Sequence, residues 1–554
     1  MECDVIVVGS GAGGLSVAVT AAHLGLDVIV VEKSDVIGGT TAWSGGWMWL
    51  PRNPLARAAG IVEDIAAPEK YLRRILGDKY DLSPVNAFLT HAPAMVQFHL
   101  DHTALKFIDG NAIPDFHGNV AGAVAGGRSL CAAPFEAKRL GDAMKLLRPP
   151  RDILSFLGMS IGGDVRHFMR AARAWDSFAY VTKRLAKHAW DVVRYGQGST
   201  RMGGNALVAA LLKSALDKNV RFLTDHCVEK ILKEDGRIVG IATRGQTLRA
   251  RKAVVLACGG FPHDAARQAL LFPHVQAGQP HYSAAPTTNT GDGLRLGEIV
   301  GAVVNASLAD AAAWAPVSLV PQADGSFKHF PHLLERGKPG LIAVTKNGTR
   351  FVSEAGNYHS FMRALFATGN TEAWLLCDHR FQRRFGLGFS KPFPLPLSPE
   401  LRNGYLMRGA SIGELALKCG INSAALTATV ERYNTHAQTG ADPEFHRGEI
   451  PYERMQGDAE HPDANPCVAP IVQAPFYAVR IVPGSLGTFA GLRVNEHAQA
   501  LDAQHTPIDG LYVAGNDMAS VMGGHYPSGG ITIGPAMTFG FIAAHHIAGV
   551  SLPK

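Results

Sequence analysis

The feature that most constrains this chain is the way it begins. Val5 to Val8 form a short β-branched run that ends at Gly9-Ser10-Gly11-Ala12-Gly13-Gly14. A helical stretch from Leu15 to Leu24 follows, and then a second strand, Asp27 to Val31, which ends at Glu32. Strand, glycine turn, helix and strand in that order predict a βαβ unit. Gly9 makes the tight turn, Gly11 lets a pyrophosphate approach the backbone, and Gly14 permits close packing of helix on strand. The helix N-terminus offers N–H groups and a favourable dipole to the anion. Glu32 stands where a carboxylate accepts the hydroxyls of an adenosine ribose, and it would repel a 2′-phosphate.

The next segment argues for FAD rather than NAD. Gly38-Gly39-Thr40-Thr41-Ala42-Trp43-Ser44-Gly45-Gly46 is rich in glycine and hydroxyls and is interleaved with Trp43, Trp47, Met48 and Trp49. Such a loop suits a flat ring with a polar edge better than it suits solvent. Two more strand-then-glycine turns are expected: Ala253 to Leu256 before Ala257-Cys258-Gly259-Gly260, and Gly510 to Ala514 before Gly515-Asn516. Both would bring backbone to an extended dinucleotide.

A chain of 554 residues forms two or more domains, and 47% hydrophobic with 18% charged residues describes a globular enzyme. The net charge is +6, yet no Lys/Arg block resembles a nucleic-acid tail, so no nucleic-acid partner is expected. The seven cysteines are scattered and form no CxxC pair, which argues against disulfides and against a metal site. Those cysteines fit a reducing compartment, and the start lacks a basic n-region and cleavage site. No apolar stretch is long enough to span a bilayer. A cytoplasmic protein is expected.

The fold class that follows is α/β: a Rossmann-like cofactor domain with an inserted α+β substrate domain. Residues 1–275 and 471–554 are assigned to the cofactor domain and 276–470 to the substrate (catalytic) domain, with the substrate at the seam. Val220 to Leu223 and Gly240 to Thr243 read as strands around Cys227-Val228, on the adenine side. A basic helical insertion at about 150–197 carries Arg166, Arg170, Arg173, Lys183, Arg184, Lys187 and Arg194 among large apolar residues. It reads as solvated surface helices, or as an amphipathic face that covers an apolar pocket or makes peripheral contact with a membrane.

Beyond these local features, a series of blocks runs through nearly the whole chain. They are GSGAGG, VVEKSDVIGGTTAWSGGWMWLP, ACGG, NTGDGLRLG (289–297), RFVSEAGNY (350–358), EFHRGEIPY (444–452) and the terminal AGNDMASVMGGHYPSGGITIGPAMTFG. In this it resembles the FAD-dependent 3-ketosteroid Δ1-dehydrogenases, cyclohexanone dehydrogenase-like members included, within the fumarate reductase and succinate dehydrogenase flavoprotein superfamily. The resemblance implies desaturation of a cyclic ketone next to its carbonyl, on a steroid or a smaller ketone such as cyclohexanone. It implies FAD held by Gly9, Gly11, Gly14, Glu32 and Lys33, and by Gly39, Thr40, Thr41, Ser44, Gly45 and Gly46. Val228, Ala257, Gly259 and Asp292 complete the set with Gly515, Asn516 and Ile531.

The catalytic roles carried over are Tyr526 hydroxyl and Gly530 N–H on the substrate carbonyl, and Tyr358 as base. A further family tyrosine follows a Pro-Asp pair, where this chain has Pro114-Asp115-Phe116-His117, so His117 or Phe116 replaces it. Tyr195, at the end of the basic insertion, is another candidate for that role. His117 or His359 is a candidate neighbour that lowers the Tyr358 pKa and carries the proton outward. The histidine that tethers FAD in some relatives is missing from Ser44-Gly45-Gly46, which implies non-covalent FAD. No motif specifies the electron acceptor. A fumarate-reductase-like reductase of an unsaturated carboxylate is the alternative. Against it, Tyr358 and Pro527 stand where that branch has arginines, and Leu486 to Leu492 lacks its histidine. A flavin-binding module without catalysis is opposed by the intact Tyr358, Tyr526 and Gly530.

Overall fold

A computed structural model describes residues 1–151 and 155–553; residues 152–154, within the expected insertion, lie outside it. The N-terminal β-branched run forms strand Glu2–Val8 at the centre of an eight-stranded sheet. It pairs in parallel with Val28–Val31 on one side and Gln246–Leu256 on the other. Arg221–Leu223 and Pro507–Val513 extend the parallel array at its two flanks. Parallel strands buried on both faces are expected to read as continuous apolar runs, and Val5 to Val8 and Val28 to Val31 do. Strands Val228–Glu234 and Arg237–Thr243 form an antiparallel ladder on Gln246–Leu256, whereas Arg221–Leu223, expected beside Gly240 to Thr243, joins the parallel array instead.

Helix Ala12–His23 packs against the C-terminal helix Ile533–Ala548, which is apolar nearly all round and therefore buried. The two approach closely: a Cβ at Gly540 would lie 2.7 Å from the Gly13 carbonyl oxygen, and Ser16 Oγ donates to Met537 O at 2.7 Å. The two ends of the chain therefore meet in one core.

A second sheet of six strands is antiparallel throughout. Its order is Phe327–Pro331, Ala312–Pro321, Phe476–Thr488, Ala373–Cys377, Leu341–Val344, with Met407–Gly409 also on Phe476–Thr488. This corrects the boundary expected at 471. Strand Phe476–Thr488 belongs to the second sheet, and the return to the first begins at Gln499–Leu501. Apolar patterning marks a buried strand but not which sheet receives it.

A buried ionic cluster ties this second unit together. Arg350 donates to Glu354 Oε2 at 2.8 Å and to Asp442 Oδ1 and Oδ2 at 2.8 and 2.7 Å. Arg447 donates to the same Glu354 oxygen at 3.1 Å, and the Ala343 N–H to Glu354 Oε1 at 2.9 Å. Glu354 is fully buried and stands four residues before Tyr358, so the cluster fixes the approach to that tyrosine. Removing one partner of a buried ion network leaves the others uncompensated. Glu354→Leu is therefore expected to lower stability by about 3–5 kcal/mol in urea unfolding of the holoprotein. A loss below about 1 kcal/mol would show that the cluster is not what fixes this segment.

Candidate active site

The glycine turns build a cradle in which some positions are closed by backbone and others face open space. Gly9 has φ +106°, and a Cβ there would lie 2.2 Å from Ala257 O. A Cβ at Gly14 would lie 2.1 Å from Gly9 O. Gly11, Gly39 and Gly515, in contrast, meet nothing nearer than 3.6, 3.9 and 4.0 Å, so their backbone is open to a ligand. Gly11 precedes helix Ala12–His23, and Thr532 precedes helix Ile533–Ala548; both helix N-termini face anionic or polar edges of a ligand favourably. Beside the second, Thr488, Phe489, Gly515, Asn516, Ile531 and Thr532 line a partly open hollow. This combination of bare backbone and helix ends fits FAD.

The side chains expected to hold FAD interlock around this cradle. Glu32 is nearly buried; Oε2 accepts from Ser10 N and Oγ at 3.0 and 2.5 Å, and Oε1 from Ser34 N at 2.9 Å. Lys33 pairs with Asp292 at 2.8 Å and donates to Thr290 Oγ1 at 2.7 Å, joining the second strand to the NTGDG segment. Thr41 Oγ1 accepts from Ala12 N at 3.0 Å, and Asn289 donates to Thr40 Oγ1 at 3.0 Å and Gly259 O at 3.2 Å. Ser44 Oγ accepts from Gly46 N at 3.1 Å, and a Cβ at Gly46 would run into Gly203 at 2.4 Å. Gly45 O accepts from the Cys131 thiol at 3.4 Å, and Val228 is buried at the start of its strand.

Sequence reasoning missed Asp517. Its carboxylate accepts from Cys258 N at 2.5 Å and Gly260 N at 2.8 Å, clamping the two distant glycine turns together. Burial pushes its pKa up to about 6. Its place inside the AGND block was the available signal.

Four aromatic side chains converge beyond the flavin loop. Tyr358 opens helix Tyr358–Ala367, capped by Asn357, whose side chain accepts from Ser360 N at 2.8 Å. Its ring lies 5.0 Å from Tyr526, and Phe116 lies 5.8 Å from Tyr358 and 5.7 Å from Tyr526, stacked on the latter. Tyr452 joins at 4.3 Å from Phe116. All four are buried. Tyr452 was not foreseen, although it closes the EFHRGEIPY block.

The choice left open between Phe116 and His117 is resolved by the Asp115 anchor. Asp115 accepts from Trp49 Nε1 at 2.8 Å and from Arg128 at 2.6 Å, which pins the loop so that Phe116 enters the aromatic group. His117 turns its ring to the Tyr526 main-chain oxygen at 3.3 Å, so it is not the aromatic replacement. Phe116 N and the Tyr71 hydroxyl both donate to Pro527 O, at 3.0 and 2.7 Å, and hold the turn that carries Tyr526. Tyr195 is not brought to this group. It ends helix Trp175–Tyr195, is 41% exposed, and meets Arg194.

Gly530 (φ +93°) has no room for a side chain: a Cβ would lie 2.4 Å from Trp47 O. Its own carbonyl accepts from Trp49 N at 3.2 Å, while its N–H has no protein acceptor among the described residues.

Burial raises Tyr358 well above the ordinary phenol range, with Tyr526 and Tyr452 adding to the rise and Arg336 opposing it. Burial takes Tyr526 to about 12, against a hydrogen bond with Tyr358 that lowers it. His359 cannot relay the proton freely. Its Nδ1 accepts from Trp314 N at 3.1 Å and its Nε2 faces Asp310 Oδ2 at 3.1 Å, so both nitrogens are committed, and burial lowers its pKa. The site thus holds two buried hydroxyls, those of Tyr358 and Tyr526, and the Gly530 N–H has no acceptor among the described residues.

The model of the family described as "FAD binding domain" matches residues 4–533. The 4-oxocyclohex-2-ene-1-carboxylate 5-dehydrogenase of Sinomonas cyclohexanicum is 37% identical over 559 residues, 99% of this chain and 94% of that protein. The 3-oxosteroid 1-dehydrogenase of Mycolicibacterium smegmatis is 35% identical over 567 residues, 99% of this chain and 97% of that protein. Among solved structures, 3-ketosteroid Δ1-dehydrogenase from Sterolibacterium denitrificans in complex with 1,4-androstadiene-3,17-dione superposes with a TM-score of 0.90 at 35% identity, covering 99% of both chains. The open form of a flavocytochrome c3 fumarate reductase shares the fold alone, with a TM-score of 0.63 at 22% identity, 99% of this chain and 78% of that one. With bare backbone open to a dinucleotide and a family match over most of its length, the chain belongs to the FAD binding domain family and is an FAD-dependent oxidoreductase.

Proposed function

We propose that this protein is an FAD-dependent dehydrogenase that introduces a C=C bond next to the carbonyl of a cyclic ketone. The observation that carries the reading is the pairing of two buried tyrosines, Tyr358 and Tyr526, with ring centres 5.0 Å apart, the second standing four residues before a Gly530 N–H that has no acceptor among the described residues. The Tyr526 hydroxyl and the Gly530 amide donate to the carbonyl oxygen and stabilise the enolate that develops on it. Tyr358, as tyrosinate, takes the proton from the α-carbon. FAD, when bound, supplies the acceptor for the hydride that leaves the β-carbon. Phe116 and Tyr452 exclude water and hold the ring of the substrate by apolar contact. Burying a dicarboxylate against these uncharged rings would be costly, which opposes the fumarate-reductase alternative.

The substrate enters at the seam between the cofactor unit and the inserted unit, and it is a 3-ketosteroid or a smaller cyclic ketone. The flavin is held without a covalent bond, since glycine and serine stand at positions 44–46. It is expected to appear entirely in the supernatant after acid precipitation; flavin left on the pellet would refute this. Anaerobic mixing with androstenedione or cyclohexanone should bleach the flavin band, and succinate should not. Tyr526→Phe should slow the bleaching about 100- to 1000-fold with FAD still bound. An unchanged rate would remove Tyr526 from the chemistry.

The basic insertion supports peripheral contact with an anionic membrane. No helix among the described residues is long and apolar enough to cross one. On helix Trp175–Tyr195, however, Trp175, Phe178, Ala186, Trp190 and Val193 recur at helical spacing and are exposed, with Lys183 and Arg194 exposed beside them. An apolar stripe flanked by cations suits the headgroup boundary. The protein is expected to sediment with phosphatidylserine vesicles at low salt, and Trp175→Glu with Trp190→Glu should abolish this; sedimentation unaffected by the pair would reject the surface.

A further inference from the structure

Arg336 is a fully buried guanidinium next to the tyrosine group, and the mechanism above gives it no task. It lies in the short turn Glu335–Gly337, between the helices that begin near Tyr358 and Tyr452. A Cβ at neighbouring Gly337 would lie 2.4 Å from Gln456 in helix Pro451–Gln456, and the guanidinium stands 4.9 Å over the Phe361 ring in helix Tyr358–Ala367. Its donors go to three main-chain oxygens: His332 at 2.9 Å, Glu354 at 2.9 Å and Gly356 at 3.2 Å. The last two belong to the segment that leads directly into Tyr358.

The carboxylates nearby are already taken. Glu335 is paired with His332 at 2.5 Å, and Glu354 with Arg350 and Arg447. Among the described residues no carboxylate lies within salt-bridge distance of Arg336. Its direct partners are therefore carbonyl oxygens, with Glu335 and Glu354 favouring its charge from further off, and burial still lowers its pKa, a cost that needs a reason to persist. Arg336 reaches the start of the Tyr358 helix through Gly356 O and the Phe361 ring, and among the groups that act on Tyr358, Tyr526, Tyr452 and Arg336, it is the positive one. We propose that Arg336 is the positioning residue that makes Tyr358 competent as base, by fixing its segment through the Glu354 and Gly356 carbonyls and by holding a buried cation at the start of its helix to stabilise the tyrosinate. The inference rests on the reading of Tyr358 as proton acceptor. Consistent with it, the Arg336 charge works against the burial that raises Tyr358 and likewise lowers Tyr452.

The test reads Tyr358 directly in the FAD-loaded protein. A fluorinated tyrosine placed at position 358 ionises at lower pH and reports its titration by fluorine NMR. Arg336→Met is expected to raise the titration midpoint by about 1 pH unit or more. Arg336→Gln, which retains donors for the carbonyls but no charge, should do the same and serves if the Met variant does not fold. Arg336→Lys, which retains the charge, should stay close to the parent. In unfluorinated protein, bleaching by androstenedione or cyclohexanone should slow about tenfold or more in the uncharged variants, and the fluorinated tyrosine should restore part of the loss. A midpoint unmoved by loss of the charge, or moved equally by Lys and Gln, overturns the proposal. Failure of both ketones to bleach the parent protein would instead overturn the functional reading, while the fluorine midpoint still decides the role of Arg336.

Discussion

The absence of a side chain at position 530 is what allows the two ends of this chain to share one site. The Gly530 Cα sits against Trp47 O and the Met48 Cα so closely that even one carbon would overlap both. That contact brings the turn carrying Tyr526 down onto the strand that leaves the flavin loop. The carbonyl of Gly530 holds the strand by accepting from Trp49 N and the C-terminal helix by accepting from Gly534 N, while its N–H has no acceptor among the described residues. A peptide amide held like this costs no reorganisation when charge develops on a substrate oxygen, which is why a fixed backbone donor serves an enolate well. Trp49 continues the chain of consequence. Its indole N–H holds Asp115, Asp115 is paired with Arg128, and this directs Phe116 to stack on Tyr526.

The glycine pattern was legible from the sequence because its causes are local. Gly9 and Gly14 are required by overlaps within a single βαβ unit, and the strand, the turn and the acid at Glu32 all lie within a short run of residues. The roles of Lys33 and Asp292 were less local, since their pairing joins two distant segments, yet each sat in a recognisable block. Where the reading went astray, the deciding contact was long-range and lacked local chemistry. Nothing in Phe476–Thr488 states that it pairs with Ala312–Pro321 rather than with Pro507–Val513; that depends on its partners. The same holds for Phe116 over His117, which follows from Asp115 meeting Trp49 and Arg128. Tyr195 looked suitable by residue type, but its helix leaves it on the surface. Tyr452 and Asp517 lay inside quoted blocks and were passed over because a tyrosine or an acid in a loop has many structural uses.

The electrostatics of the site follow from how little charge it contains. Four buried aromatic rings make an apolar chamber in which any anion is expensive, a tyrosinate included. The same chamber strengthens every dipole and every fixed charge that faces it. A neutral ketone would enter at little cost, and in the mechanism proposed above its charge develops at Tyr526 and Gly530. The histidines at hand are kept neutral by burial, and His359 is further locked between Trp314 and Asp310. The proposed mechanism accordingly assigns proton acceptance to a phenol, because the nitrogens of His359 are already engaged.

A phenol in such a place can act only if something offsets the penalty of its charged form. Hydrogen bonding between the tyrosines cannot supply this alone, because the bond that lowers Tyr526 raises Tyr358. Helix Tyr358–Ala367 contributes at its first residue, since its N-terminal dipole favours negative charge there by a few tenths to about 1 kcal/mol. That is small against full burial. A cation in low dielectric exerts a larger effect, and the ionic cluster around Glu354 explains how Arg336 can remain unpaired beside it. Arg350 and Arg447 pair with Glu354 and His332 with Glu335, so among the described residues neither carboxylate forms a salt bridge with Arg336, although both favour its charge from further off. One arrangement of charges thus serves two ends: the paired arginines hold the second sheet's unit together, and in the proposal above the remaining one tunes its tyrosine.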